Sequence, residues 1–302
     1  MDKAEIHHYK AYGLNIESAL PCPELAPSRG VPDVRVRYGA VPDSLADATV
    51  KGWYYQARGN RLLLIIEDVA RYLVSDGREI IIERAPGSRD NDVRLYLLGS
   101  AFGGLLHQRG VLPLHGSAIE VNGGAVVFLG PSGLGKSALA GAFYKRGYRV
   151  MTDDVCVLSI SEEGILVVLP GYPQLKLWAE VARSLGENSL ELGQVDPLVE
   201  KHGLPLRKGF CETPLPLRRL YVLTTAETQK FELAPLKGME KLTALLNNTY
   251  RFCFLDGQGG KVLNFKQCAT LAQHAAVSRV IRPGAPLLLD ELADLLERDL
   301  AL

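Results

Sequence analysis

Residues 130 to 137 read Gly130-Pro131-Ser132-Gly133-Leu134-Gly135-Lys136-Ser137, which fits the pattern G-x-x-x-x-G-K-[ST] at every fixed position. Glycines here let the backbone approach an anion closely and turn its N–H groups inward. The positive end of a following helix adds to that field. Lys136 places a point charge on the outer phosphates, and the Ser137 hydroxyl can bind Mg²⁺. All eight residues are therefore expected to cradle a nucleoside triphosphate, with ATP and Mg²⁺ as cofactors. A glycine-rich turn that binds nothing is the competing reading, and the flanks argue against it. Apolar residues 124–129 lead in and the helix-prone run 138–143 leads out, so the motif has its strand, loop and helix.

Phosphoryl transfer also needs a carboxylate near the acceptor hydroxyl. Asp153-Asp154 follows the loop helix at the end of an expected strand, the edge of an open α/β sheet where ligands sit. Neighbouring strand residues point to opposite faces. Unless the backbone bends there, one carboxylate serves the acceptor while the other orders Mg²⁺ or a water. A solvated Asp-Asp turn is the plainer account. His115, in Pro113-Leu114-His115-Gly116-Ser117, can touch a phosphate or tune a carboxylate, or be a satisfied core residue. Arg218, Arg219 and Arg251 are candidates to neutralise phosphoryl charge, against a blander role in surface ion pairs. Lys176 alternates with Leu175 and Leu177, so it faces either the cleft or water.

With 302 residues, 47 % hydrophobic and 23 % charged, the chain reads as an ordinary globular protein of one large or two small domains. Lys plus Arg equals Asp plus Glu at 34 each, so no global field favours nucleic acid or an acidic membrane. Local basic patches at Arg218-Arg219 or 201–208 read mostly as solvated surface. No apolar signal core opens the chain and no run approaches ~18 apolar residues. Five scattered cysteines (Cys22, Cys156, Cys211, Cys253, Cys268) lack C-x-x-C spacing, which argues against a disulfide frame or structural zinc. A reducing cytoplasm is the expected compartment. A homo-oligomer stays open.

The elements that must position these groups are legible in outline. About ninety residues look β-rich: a strand at 33–38, a hairpin of 53–57 and 61–66 around Arg58-Gly59-Asn60, and another of 70–74 and 79–83 around Ser75-Asp76-Gly77. The polar break at 86–91 divides an expected β-rich domain, 1–90, from a catalytic domain, 91–302. Residues 93–110 show helical spacing and end at Gly110. Strands near 113–121 and 124–129 are joined by Asn122-Gly123, a tight-turn signal. The strand feeding the loop is thus expected to pair antiparallel with its predecessor, unlike a doubly wound dinucleotide fold. Further expectations are a hairpin of 155–160 and 165–169 around 161–164, broken helix over 179–200, a strand at 217–225, and helices at 239–247, 265–277 and 287–300.

Leu114-His115-Gly116 before a hairpin, then Gly130 to Ser137, Arg146-Gly147-Tyr148 and Asp153-Asp154, resembles the catalytic domain of bacterial HPr kinase/phosphorylase in order and spacing. The resemblance implies an α/β (α+β) fold related to phosphoenolpyruvate carboxykinase, with a mixed sheet around the phosphate loop. It also implies that His115 and the aspartate pair belong to the catalytic centre, in acceptor deprotonation and metal binding. Two departures stand out. Ala138 replaces the family's acidic residue after Lys-Ser, and no Arg-Gly-Leu-Gly segment follows. Instead, residues 9–14, 171–178 and 248–251 look like the divergent HPr-kinase-like proteins of peptide-modification gene clusters. Lasso-peptide kinases, which phosphorylate a precursor-peptide serine, are one such group.

The expectation is thus an ATP- and Mg²⁺-dependent kinase acting on a serine of a peptide or small protein. Asp153 is expected as the base and Asp154 with Ser137 in the metal shell, the sequence leaving the opposite assignment of the two aspartates open, with His115 in support, and Lys176 and Arg251 as phosphate or substrate contacts. Two rivals differ in class: a nucleotide-binding regulator without transfer, favoured by Ala138, and a small-metabolite kinase with a narrow, anion-binding cleft.

Overall fold

The computed structural model describes residues 5–160, 164–186, 193–196, 200–206, 208–228, 230–284 and 288–301. The first strands are β1 (His7–Ala11), β2 (Leu14–Ser18), β3 (Ala26–Pro27), β4 (Val34–Tyr38), β5 (Val50–Lys51), β6 (Tyr55–Arg58), β7 (Arg61–Ile66), β8 (Ala70–Ser75) and β9 (Glu79–Arg84). They form one sheet in the order β3-β1-β2-β4-β9-β8-β7-β6-β5. Two expected hairpins form the β6–β7–β8–β9 meander. The first begins later than expected: Trp53 is fully exposed, and the turn needs only Gly59-Asn60.

Residues 86–89 are a surface turn, not a gap in the core. The helices beyond it, α1 (Asp90–Tyr96) and α2 (Phe102–Gln108), are joined through a π-helical turn, Leu97–Ala101. They bury Val93, Leu97, Leu98, Phe102, Leu105 and Leu106 against Leu62, Leu64, Tyr72, Ile80 and Ile82 of the first sheet. Gly110 ends the stretch at φ 71°, as a helix C-terminus favours.

A second sheet carries the Gly130–Ser137 loop. It holds β10 (Leu112–Val121), β11 (Gly124–Leu129), β12 (Val150–Thr152), β13 (Val155–Ile160), β14 (Leu166–Leu169), β18 (Leu215–Ala226), β19 (Glu232–Pro235) and β20 (Val277–Pro283). The β10–β11 hairpin turns at Asn122-Gly123 with both residues left-handed, the backbone a two-residue hairpin turn requires. On its other side β11 pairs parallel with β18, so the sheet is mixed. β10 passes from β13 to β11 along its length, and β18 from β14 to β11. Those five strands close on themselves.

β11 is buried at all six positions, as a strand covered on both faces must be. Ala125, Val127 and Leu129 face one core. Val126 and Phe128 face another, shared with Leu139, Ala140 and Phe143 of α3 (Lys136–Lys145). A small third sheet orders β15 (Gln174–Trp178), β17 (Lys201–Pro205) and β16 (Gln194–Asp196) as β15-β17-β16.

Several expectations are corrected. Among the described residues of 179–200, Ala179–Ser184 (α4) is helical and Gln194–Asp196 is strand; residues 187–192 and 197–199 lie outside the described residues, as does 161–163 of the 155–169 hairpin. The helix expected at 265–277 spans Lys261–His274 (α7), and β20 begins at Val277. Ala275 turns extended and ends the helix. The other C-terminal helices are α5 (Met239–Asn247), α6 (Leu255–Gln258) and α8 (Leu289–Asp299); residue 287 of the expected last helix lies outside the described residues. No helix among the described residues is long and apolar enough to cross a membrane.

Candidate functional site

The loop from Gly130 to Gly135 sits at the C-terminal end of β11 and enters α3 at Lys136. Gly130, Gly133 and Gly135 take φ of 145°, 85° and 91°, a region that favours glycine. Lys136 folds back over the loop. Its ammonium donates to the Gly130 and Pro131 carbonyls at 2.8 and 2.9 Å and to His115 Nε2 at 3.0 Å. Burial lowers the Lys136 pKa to about 8. Since Nε2 accepts from that ammonium, Nδ1 carries the imidazole proton and donates to the Asp154 carbonyl at 3.1 Å. Burial and then the Lys136 charge lower the His115 pKa, which keeps the ring neutral.

The aspartate pair divides. Asp153 is 4 % exposed. Its Oδ1 accepts from the Ser117 and Ser137 hydroxyls at 2.6 and 2.8 Å, and its Oδ2 from the Lys176 N–H at 2.8 Å. Asp154 instead takes a left-handed backbone, φ 69°, between β12 and β13. Its Oδ2 accepts from Lys176 Nζ at 3.0 Å, and its Oδ1 lies 3.4 Å from His115 Nδ1. Burial alone would raise its pKa. The Lys176 ammonium outweighs burial and holds it well below the usual carboxylate range. The same pair raises Lys176 well above its ordinary value despite burial.

The expected partner of Ser137 was Asp154; the structure puts Asp153 there. The bend at Asp154 breaks the strand alternation and turns that carboxylate toward Lys176 and His115. Ser117, the third residue on Asp153, escaped sequence reading because its proximity depends on β10 lying beside β12.

Two adjoining cavities meet at this cluster. A small one of about 80 Å³ lies over the loop and includes Ser132, Gly133, Gly135, Lys136, Ser137 and Ala138 in its wall. A larger one of about 520 Å³ runs past Tyr96, Ser100, Thr249, Tyr250 and Arg251. Both are lined by His115, Ser132, Asp154, Lys176 and Lys201, and Asp153 lines neither. The segment after α5 is docked beside β10, His115 N–H donating to the Asn248 carbonyl at 2.7 Å, which sets Tyr250 and Arg251 at the cleft. Arg251, left-handed at φ 50°, stacks over Tyr54 and Tyr250.

Lys176 therefore faces the cleft. So does Lys201, read from sequence as solvated surface; pairing of Lys201 with Trp178 across β15–β17 brings it there. Arg218 and Arg219 lie elsewhere, bonded to the Leu300 carbonyl and to Asp299 at the far end of β18.

A carboxylate and a hydroxyl, Asp153 with Ser137, are hard oxygen donors that fit Mg²⁺. No group of three or more His, Cys, Asp or Glu that could hold a metal exists among the described residues. That donor set suits an ion held largely by phosphate oxygens and water.

No protein-family model matches this chain. It is 42 % identical over 53 residues to an HPr kinase/phosphorylase of Prosthecochloris aestuarii, covering 18 % of this chain and 16 % of the relative. An HPr kinase/phosphorylase of a Geobacillus species is 41 % identical over 54 residues, 18 % of this chain and 17 % of the relative. The solved HPr(Ser) kinase/phosphatase of Coxiella burnetii superposes at a TM-score of 0.37 and 11 % identity, covering 63 % of this chain and 90 % of that one. The matched segments span about a sixth of the curated relatives' own length. Over that short stretch of sequence, the chain is HPr-kinase-like.

Proposed function

We propose that the chain is an ATP- and Mg²⁺-dependent kinase that transfers a phosphoryl group to a serine hydroxyl of a peptide or small protein. The observation that carries this reading is the division of labour in the aspartate pair. Asp153 is saturated by donors and turned to Ser137, on the phosphate side. Asp154 lines the open cleft. The short matches to HPr kinase/phosphorylases support the same reaction class.

The roles of the aspartates then reverse those expected from sequence. Asp153 and Ser137 would hold Mg²⁺, which when bound neutralises phosphate charge. The loop N–H groups, Lys136 and Lys201 bind the polyphosphate. Asp154 Oδ1 accepts a hydrogen bond from the acceptor hydroxyl and orients its oxygen toward the terminal phosphorus. As the new P–O bond forms and the bond to the leaving diphosphate breaks, Asp154 takes the hydroxyl proton. Its pKa is low while Lys176 pairs with it alone; phosphates that share the Lys176 charge raise its basicity. His115 fixes the Asp154 backbone and links it to Lys136. The cleft of about 520 Å³ accommodates a side chain with its flanking backbone. A lasso precursor peptide is one such acceptor, a reading that rests on the resemblance in 171–178 and 248–251.

Incubation with γ-labelled ATP, Mg²⁺ and serine peptides tests the reading. Asp154→Asn should keep ATP affinity within about threefold and lose ~10²–10⁴-fold in kcat. Asp153→Asn should weaken Mg²⁺-dependent ATP binding, since an amide cannot accept from three donors. Label on small alcohols but on no peptide or protein would favour a metabolite kinase. Bound ATP with no label on any acceptor would favour a regulator.

A further inference from the structure

Three charged side chains are buried among the described residues: Lys136 at 6 %, Asp153 at 4 % and Arg282 at 4 % exposure. All three converge on the phosphate loop. Lys136 and Asp153 belong to the site above. Arg282 lies on β20, opposite Thr225 of β18, and reaches the loop from outside it. Its Nε donates to the Leu134 carbonyl at 3.2 Å. Its Nη1 donates to the Pro283 and Gly284 carbonyls at 2.7 and 3.2 Å. No carboxylate pairs with it among the described residues, and the undescribed stretch after Gly284, Ala285-Pro286-Leu287, holds none.

A buried guanidinium without a counter-ion is costly to fold. Retaining one at this place calls for an anion that arrives after folding. The peptide group adds a geometric reason. In a trans peptide the carbonyl and the next N–H point in opposite directions. By holding the Leu134 carbonyl outward, Arg282 aims the Gly135 N–H into the loop's concave side, where the phosphates bind. Arg282 also stands at the C-terminal ends of β11, β18 and β20, which run parallel, the edge of a sheet at which ligands gather.

We infer that Arg282 is a positioning residue for the nucleotide: it braces the phosphate loop through Leu134 and supplies a fixed positive charge that the polyphosphate balances. The inference rests on the triphosphate-binding reading above. Its test compares ATP and inorganic tripolyphosphate binding, measured by displacement of a fluorescent ATP analogue, for the intact protein, Arg282→Met and Arg282→Lys. Arg282→Met should weaken both ligands ~10-fold at low salt, and the loss should shrink at ~0.5 M salt. Arg282→Lys should recover most of the loss at low salt. Without ligand, the melting temperature of Arg282→Met should equal or exceed that of the parent, while its ATP-induced rise should be smaller.

Equal binding by Arg282→Met overturns the inference and leaves the kinase reading standing. So does a loss that neither salt nor lysine alters, since that marks a purely mechanical brace. If Arg282→Met does not fold, Arg282→Lys carries the test: affinity ~10-fold below the parent's at low salt overturns the charge role. Absence of triphosphate binding by the intact protein removes both readings.

Discussion

On the proposed reading, Lys136 holds the proton on which triphosphate affinity depends. Burial brings its pKa down to about 8, so the charged form dominates below that pH and is lost above it. The ammonium attracts phosphate and the neutral amine does not. ATP affinity should therefore be flat between about pH 6 and 7 and fall through pH 8, approaching tenfold per unit well above the pKa. Titration calorimetry across pH 6–9.5 checks this, with Lys136→Met as the control that has lost the step. A profile flat to pH 9.5 would show that the buried amine stays charged. The acid side has the opposite origin. Asp154 works as a carboxylate, and the Lys176 charge holds it ionised far below neutral pH, so protonation of Asp154 should not limit activity between pH 5 and 8.

At the scale of elements, β10 carries the site, because His115, Gly116 and Ser117 are consecutive on it. Gly116 is where β11 comes close: a Cβ there would lie 2.7 Å from Leu129 Cδ2 and 2.8 Å from the Phe128 carbonyl oxygen. Backbone cannot retreat as a side-chain tip can. Gly116→Ala should cost ~1–3 kcal/mol of stability, read as a fall in denaturant midpoint. It should also lower phosphoryl transfer by more than it lowers ATP affinity, since His115 and Ser117 shift with the strand. Unchanged stability would mean that β11 adjusts freely. Much of this element was legible beforehand: Asn122-Gly123 announced the hairpin, and the motif placed loop and helix. The split of Asp153 from Asp154 was not, because strand parity offers two faces and only the left-handed bend at Asp154 decides which group goes where. Aspartate tolerates that backbone without advertising it. Lys201 was missed for a related reason. Its place depends on the pairing of β15 with β17, a contact between distant segments that no local pattern records. β20 was hidden by helix-prone residues running to 274 with no glycine or proline before Val277.

Over the whole molecule, the nine-stranded sheet is built into the body that carries the Gly130–Ser137 loop. Its inner face is covered by α1 and α2, and one continuous apolar cluster joins Leu62, Tyr72 and Ile80 to Phe102, Val155, Tyr172, Tyr250 and Phe254. Backbone and side chains are tied across the same boundary. Tyr12 N–H donates to the Pro170 carbonyl at 2.8 Å and Gly59 N–H to the Gly257 carbonyl at 2.9 Å. The Tyr55 hydroxyl donates to the Cys253 carbonyl at 3.0 Å. Gly257 has no room for a side chain, since a Cβ would sit 2.4 Å from that of Ala57. Tyr12, at the tip of the β1–β2 hairpin, stacks edge-on against Tyr172, four residues before Lys176. Each large apolar side chain stripped of this cover loses ~1.5–3 kcal/mol, and a domain's net stability is only ~5–15 kcal/mol. The division at residue 90 suggested by the sequence should therefore not separate two independently folding units. Calorimetry of the full chain should show one cooperative transition with equal van't Hoff and calorimetric enthalpies. A chain beginning at residue 86 should bind a hydrophobic dye and lack that transition. Two separate endotherms, or a shortened chain that melts cooperatively and still transfers phosphate, would make the sheet an accessory; a single transition makes it one folding unit with the body that carries Tyr250 and Arg251, the residues through which it touches the cleft.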